Sequence, residues 1–292
     1  MLDFDQLHRY LFTNAQVRGE MVRLQSSYKT ILAAQEYPKE VQTLLGELMA
    51  ATCLLTATLK FEGDVSLQIQ SDGPVNYAVI NGTHDQKLRG VARWKEGDIP
   101  GDLLSMCQNG ILIITITPDE GERYQGIVKL EQPTLAACVE DYFVQSEQLA
   151  TRILLGTEIN DDAPFAWGML LQALPGDESD KASFDHLAYL TETMNTQEAK
   201  HLEAQDVLYR LYHQEEVELF TPQAVVFECS CSKERSAAAL SGIDEEELLG
   251  IIAEEGDLRM NCQYCHAEYR FDAIDVRAIK SGTYGQNSPT IN

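Results

Sequence analysis

Basic residues are scarce in this 292-residue chain: 22 Lys and Arg stand against 46 Asp and Glu, a formal net charge of -24. Binding to bare nucleic acid needs clustered Lys and Arg to displace counterions, so a polyanion is a poor partner. Anionic membrane surfaces attract basic segments and are disfavoured on the same ground. Long apolar runs are also missing. The longest, such as 111–116 and the stretch around Leu54, fall far short of the ~20 residues a spanning helix needs. The first residues carry neither a basic n-region nor the apolar core of a secretory signal, so the expectation is a cytoplasmic chain without a membrane partner. Catalytic and nucleotide signatures are lacking as well: there is no Gly-x-Gly-x-x-Gly, no phosphate loop, no Gly-x-Ser-x-Gly elbow and no His-Glu-x-x-His. The common nucleotide-binding and hydrolase classes lose their main support, and the chain is not expected to be an enzyme.

What is present begins with enough apolar material, 44% of residues, for a substantial core. The first ten residues and 38–60 read as helical; in the latter, Val41, Leu44, Leu45, Leu48, Met49, Cys53 and Leu55 recur at three- and four-residue steps. From Asp64 the period changes to two, with Val65, Leu67 and Ile69, then Tyr77 and Val79 up to Asn81-Gly82, which reads as a hairpin turn. Segments 111–117, 124–130, 151–155 and 168–173 are further strands, with a helix over 134–143. Strands separated by turns, without regular crossover helices, predict an α+β core with an antiparallel-rich sheet over 1–175.

Residues 175–180, Pro-Gly-Asp-Glu-Ser-Asp, are a breaker cluster, after which the composition shifts. Over 176–220 the chain carries 11 acidic and 3 basic residues, with an apolar stripe of Leu187, Leu190, Met194, Leu202, Val207, Leu208 and Leu211. We read 176–220 as a helical linker of amphipathic pieces whose like charges oppose compaction, either an ordinary solvated face or a metastable switch segment. Leu187, Leu190, Met194, Val207, Leu208 and Leu211 are the candidates for contact with a partner.

Seven cysteines in a reducing compartment point to metal, redox chemistry or packing rather than a disulfide framework. Cys53, Cys107 and Cys138 read as small hydrophobes of the core. The remaining four form two tight pairs, Cys229-Ser-Cys231 and Cys262-Gln-Tyr-Cys265. Two such pairs fit one tetrahedral Zn²⁺, making 221–292 a small zinc-binding domain. Other readings of the tail are Cys-x-x-Cys-His as a c-type haem attachment, His266 in place of one cysteine, and a purely structural zinc module. Between the pairs, 233–240 predicts one helix, and Asp244 with Glu247 opens a second. Tyr269 and Phe271 are expected to pack behind the knuckle.

These residues, together with Thr115-Ile-Thr-Pro-Asp-Glu-Gly-Glu-Arg-Tyr-Gln-Gly126, Asp5-Gln-Leu-His-Arg-Tyr-Leu-Phe12 and Gly168-Met-Leu-Leu-Gln172 ahead of Pro175, resemble the 33 kDa heat-shock protein family over essentially the whole chain. The resemblance implies a redox-regulated holdase chaperone that uses no ATP and binds unfolding clients. It further implies one Zn²⁺ held by Cys229, Cys231, Cys262 and Cys265 in the reduced, inactive form. On oxidation it implies disulfides Cys229 to Cys231 and Cys262 to Cys265, release of zinc, and an active homodimer. A zinc-stabilised adaptor without redox function and a thiol–disulfide exchange enzyme are the competing classes; for the latter no thioredoxin-like context surrounds the Cys-x-x-Cys.

Overall fold

The computed structural model describes residues 3–175 and 178–284. It divides into two compact units, Met1–Glu228 and Cys229–Asn292. The architecture is α+β, with two six-stranded sheets in the first unit.

In the first sheet the spatial order is β10 (Val217–Leu219), β1 (Gln6–Phe12), β2 (Val17–Leu24), β9 (Phe165–Ala173) and β8 (Thr151–Glu158), with β11 (Gln223–Ala224) also paired to β1. In the second it is β12 (Val226–Phe227), β5 (Lys87–Trp94), β4 (Val75–Thr83), β3 (Gly63–Gln70), β6 (Ile111–Pro118) and β7 (Tyr124–Lys129). Every pairing is antiparallel except β12 with β5. The other helices of this core are α1 (Ser26–Leu32), α2 (Lys39–Thr58), α3 (Leu103–Met106) and α4 (Leu135–Ser146).

Helix α2 packs against strands of both sheets, so it needs apolar residues around its whole circumference rather than along one stripe. By composition it is long and apolar enough to cross a membrane, but 78% of that window is buried inside the protein. Its place between two sheets explains the pattern. Cys53 sits within it, fully buried, and Cys107 and Cys138 are buried in the same core.

Two local expectations are corrected. Residues 6–12 form a strand, not a helix. Leu7 enters the core against α2, while Tyr10 and Phe12 enter a second core on the opposite face, so both faces are buried and the polar–apolar alternation that marks a strand is lost. Asn81-Gly82 lies inside β4, and the turn comes at 84–86, where Gln86 takes a positive φ of 62°. A Cβ on Gly82 would come within 2.8 Å of side-chain atoms of Leu88 and Thr52, so this glycine serves close packing rather than a turn.

The segment that follows forms α5 (Glu178–Thr191), α6 (Thr196–His201) and α7 (Ala204–Tyr212). Positions 176 and 177 of the breaker cluster lie outside the described residues. These helices cover the outer face of the first sheet: Leu187, Met194, Val207, Leu208 and Leu211 are buried against Tyr10, Phe12, Met21, Trp167 and Met169, with Leu190 partly buried beside them. Polar ties accompany the packing. Trp167 donates from Nε1 to Thr196 Oγ1 at 3.0 Å, the Thr191 and Tyr212 hydroxyls meet at 2.6 Å, and Arg23 donates to the Leu202 carbonyl at 2.8 Å. Segment 176–220, where described, therefore belongs to the first unit in this conformation.

The second unit holds α8 (Lys233–Leu240), α9 (Glu245–Glu255), the hairpin β13 (Leu258–Asn261) with β14 (Glu268–Phe271), and α10 (Ala273–Lys280). Helices α8 and α9 fall where the sequence places them, and Asp244 caps α9 by accepting from the Glu246 and Glu247 amides. Helix α10, opened by a full capping box of Asp272 and Asp275, is an addition. Among the described residues, seven buried apolar side chains, Ala237, Leu240, Leu248, Leu258, Phe271, Val276 and Ile279, form the core of this unit.

Candidate metal centre

A core of seven side chains is too small to hold a domain by burial alone, and units of this size commonly need a staple. The four cysteines lie where one can form. Cys262 and Cys265 occupy the turn between β13 and β14. There the Cys262 amide donates to the Ala267 carbonyl at 3.0 Å, the His266 amide donates to the Cys262 carbonyl at 2.9 Å, and His266 closes the turn with a positive φ of 57°. His266 thus shapes the knuckle through its backbone and is not among the clustered donor atoms.

Cys229 and Cys231 lie just before α8, whose N-cap Ser232 accepts from the Arg235 amide at 3.2 Å. The Arg235 guanidinium turns back to donate to both the carbonyl and the hydroxyl of Ser230 at 2.7 Å each. This grip holds the single residue between the two thiols, so Cys-x-Cys can present both sulfurs to one point. Lys233 pairs with Asp275 at 2.9 Å and lies 5.1 Å from the Phe271 ring centroid, which ties α8 to α10 behind the thiols.

All four Sγ atoms lie within 4.8 Å of one another, with Cys229 to Cys262 at 3.5 Å and Cys231 to Cys265 at 3.3 Å. Four thiolates bound ~2.3 Å from one tetrahedral Zn²⁺ stand about 3.8 Å apart. The donor set and its spacing therefore fit a single zinc ion. The two shortest separations are edges of that tetrahedron and carry no preference for disulfide pairing.

The surroundings act on these thiols in opposite directions. Burial opposes the Cys231 thiolate, but the Tyr269 hydroxyl, donating to Cys231 Sγ at 3.1 Å, and the neighbouring thiols outweigh it and bring Cys231 down to about 7. Burial pushes Cys229 up to about 12 and also raises Cys265. Without a cation the cluster favours one shared thiolate, whereas a bound dication favours all four. Elsewhere burial raises Cys53, Cys138 and Cys107, the last to about 12, as expected of inert core thiols.

Sequence reasoning placed these four sulfurs but missed two supports. Tyr269, read as a packing residue, points its hydroxyl at Cys231, and Arg235 clamps Ser230; no local pattern announces either contact. Phe271 packs as expected, fully buried. The second cysteine pair joins the first, which leaves nothing in the geometry that favours haem attachment.

Comparison with known proteins agrees with this arrangement. The family model described as Hsp33 protein matches residues 5–272. The 33 kDa chaperonin of Pseudoalteromonas atlantica is 60% identical over 293 residues, covering 98% of this chain and 99% of that protein. The 33 kDa chaperonin of Shewanella oneidensis is 56% identical over 286 residues, covering 97% and 98%. The crystal structure of the 33 kDa chaperonin from Thermotoga maritima superposes with a TM-score of 0.83 over 95% of this chain and 98% of that one; at 20% identity it speaks for the fold. With a family match across both units and relatives at this identity over nearly the full length, the chain belongs to the Hsp33 family of chaperones.

Proposed function

We propose that the protein is an ATP-independent holdase, switched on by oxidation of Cys229, Cys231, Cys262 and Cys265, that binds unfolding proteins in the cytoplasm and prevents their aggregation. The observation that carries this reading is the convergence of four thiols on one point in a unit whose apolar core is otherwise minimal.

A bound Zn²⁺ supplies the cross-link that such a unit lacks, a contribution on the order of 10 kcal/mol to its folding. The chain's own sulfurs do the rest. Each disulfide forms from two thiols as one peroxide is reduced: the S–S bond forms, the O–O bond breaks, and two water molecules leave with the two protons. The pairs assigned by family resemblance are Cys229 with Cys231 and Cys262 with Cys265. A disulfide sulfur carries no negative charge, so the oxidised chain no longer retains a dication and the second unit is left with its small core alone.

Covalent continuity carries this change to the acidic helices. From α7 the chain reaches Cys229 through only the short strands β10, β11 and β12. Release of α5–α7 from the first sheet would uncover Leu187, Leu190, Met194, Val207, Leu208 and Leu211, together with Tyr10, Phe12 and Trp167 beneath them. Such a surface holds client chains by non-directional apolar burial, and the surrounding negative charge keeps the complex soluble. By the family resemblance, the oxidised, active form is a homodimer. No turnover chemistry is part of this reading.

The test is to treat the reduced, zinc-loaded protein with peroxide at elevated temperature, then count free thiols, measure released zinc and follow light scattering of a heat-denatured client. The expected outcome is loss of four of the seven free thiols, release of zinc and suppressed scattering, all at the same rate. Zinc that stays bound, or scattering that follows metal content but not thiol oxidation, returns the protein to the class of zinc-stabilised adaptors.

A further inference from the structure

Away from the thiols, a cavity of about 630 Å³ opens where the first sheet extends beyond the C-terminal end of α2. That volume lies within the range of small-molecule sites, roughly 300–1,000 Å³. Its polar end is built by strand register: Arg9 on β1 stands opposite Glu20 on β2, Arg18 on β2 stands opposite Leu11 on β1, and Gln172 on β9 lies next to Arg18. Its other end is apolar, formed by Ala57 and Leu59 from the end of α2 together with Leu174 and Phe220.

Two features distinguish this pocket from an ordinary crevice. Glu20 is only 2% exposed, yet its Oε2 has no hydrogen-bond partner and its nearest cation, Arg18 Nε, is 3.9 Å from Oε1. A buried carboxyl with an idle oxygen in a cavity is a costly arrangement unless something uses it. Two guanidiniums, an exposed Arg9 and a half-buried Arg18, flank this carboxyl and keep donors open to solvent or a ligand. Arg9 makes one hydrogen bond, to Gln223 Oε1 at 2.6 Å, and Arg18 makes two, to Gln172 Oε1 at 3.2 and 2.6 Å, where each fork carries five donors.

The geometry points to a binding site for a monocarboxylate with a short hydrocarbon tail, its carboxylate held by Arg9 and Arg18 beside Glu20 and its tail laid along Ala57, Leu59, Leu174 and Phe220. Charge complementarity selects this class. Burial raises Glu20 to about 7 against the pull of Arg18 and Arg9, so near neutrality its negative charge is weakened beside two fixed positive ones. Further out, Glu147 also feels Arg18 and is offset by Lys60. The guanidiniums call for an anionic head, and the apolar wall calls for a hydrocarbon tail that a small hydrated ion lacks. An incoming carboxylate next to Glu20 drives it to the protonated form, which can then donate to the ligand, so binding takes up a proton.

The experiment is isothermal titration of the full-length, reduced, zinc-loaded protein with octanoate at neutral pH, in buffers of different ionisation enthalpy, alongside butyrate and octylamine. Expected are saturable binding of one octanoate, weaker butyrate, no octylamine, and a measurable uptake of protons as Glu20 is neutralised. Arg18→Gln should weaken octanoate by about tenfold or more, as loss of a charge-assisted hydrogen bond implies. Glu20→Gln should retain binding and abolish the proton uptake. Phe220→Ser, at an exposed position that does not threaten folding, should weaken octanoate and leave butyrate unchanged. Unsaturable octanoate, equal binding of octylamine, or proton uptake that survives Glu20→Gln overturns the assignment.

Discussion

The two faces of the first sheet come from alternate residues of the same strands, yet they are covered by very different material. One face, with Leu7, Val22, Leu24, Ala166 and Leu170, meets the single twenty-residue helix α2, which carries only Lys39, Glu40 and Glu47 as charged residues. The other meets three short acidic helices, and two polar groups lie with its apolar side chains. His8 is 6% exposed with neither ring nitrogen hydrogen-bonded, and Arg23, 1% exposed, rests on the Leu202 and Asp3 carbonyls with its Nε unpartnered. Unsatisfied buried polar atoms offset part of what the apolar contacts contribute. Unsatisfied polar atoms thus burden both faces, Glu20 on the first and His8 and Arg23 on the second, but only the second is covered by helices rich in like charge. Under the proposed switch, this acidic cover is the one that comes off.

The largest effect that can sharpen this contrast comes from the metal. Stripping it with a chelator under reducing conditions should remove on the order of 10 kcal/mol from the second unit and melt it, while the α2 core keeps its own unfolding transition. Calorimetry and amide exchange distinguish the outcomes, and a single transition lost as a whole would show that the units do not fold separately. Next in size is a pair of truncations. Leu48→Ala, at a fully buried α2 position, should cost about 2–5 kcal/mol and lower the global denaturation midpoint. Leu208→Ala, nearly as buried on α7, should speed amide exchange and proteolysis in α5–α7 and leave that midpoint largely in place. If both variants shift the global midpoint equally, the second face is as permanent as the first.

The smallest effect is set by pH and has opposite signs on the two faces. Burial, then Arg23, lowers His8 to about 4 from an ordinary 6.5, so between these values the released state binds more protons and acidification favours release of the acidic helices. Arg23 in turn feels Glu203 and Asp3, and the covering helices add further charged pairs such as Arg210 with Glu198. On the other face burial raises Glu20 and Glu47 to about 7 from 4.5, so the folded state binds more protons in that window and the core gains stability as pH falls. Lowering pH from 7 to 5 should therefore speed exchange in α5–α7, once corrected for intrinsic rates, and slow it in α2. Parallel changes in both segments would contradict the assignment of His8 and Glu20 to separate responses.

Several elements were legible because their signals are local. Helix α2, strands β3, β6 and β7, and helices α8 and α9 announce themselves by period and capping, and the four cysteines by two tight spacings. Strand β1 was not legible, since burial on both faces erases its alternation. Asn81-Gly82 misled because Gly82 answers to Leu88 and Thr52 rather than to a turn. Strands β10–β12 are two or three residues long and exist only through pairing with β1 and β5. Around the thiols, Arg235 and Tyr269 escaped notice because their contacts depend on how the hairpin and α8 come together.

By itself the sequence determined the ligand chemistry, the acidity of the helices that follow the core, and the apolar character of α2, because each is a property of residue types at short spacing. Tertiary structure alone decided that the acidic helices hide their stripe on the first sheet, that His8 and Arg23 lie buried with idle nitrogens, and that Arg9, Arg18 and Glu20 share one cavity. Those outcomes rest on packing and on strand register, both within the β1–β2 hairpin and between distant segments such as Arg18 beside Gln172, and a slip of one residue in a strand would turn its side chains to the opposite face.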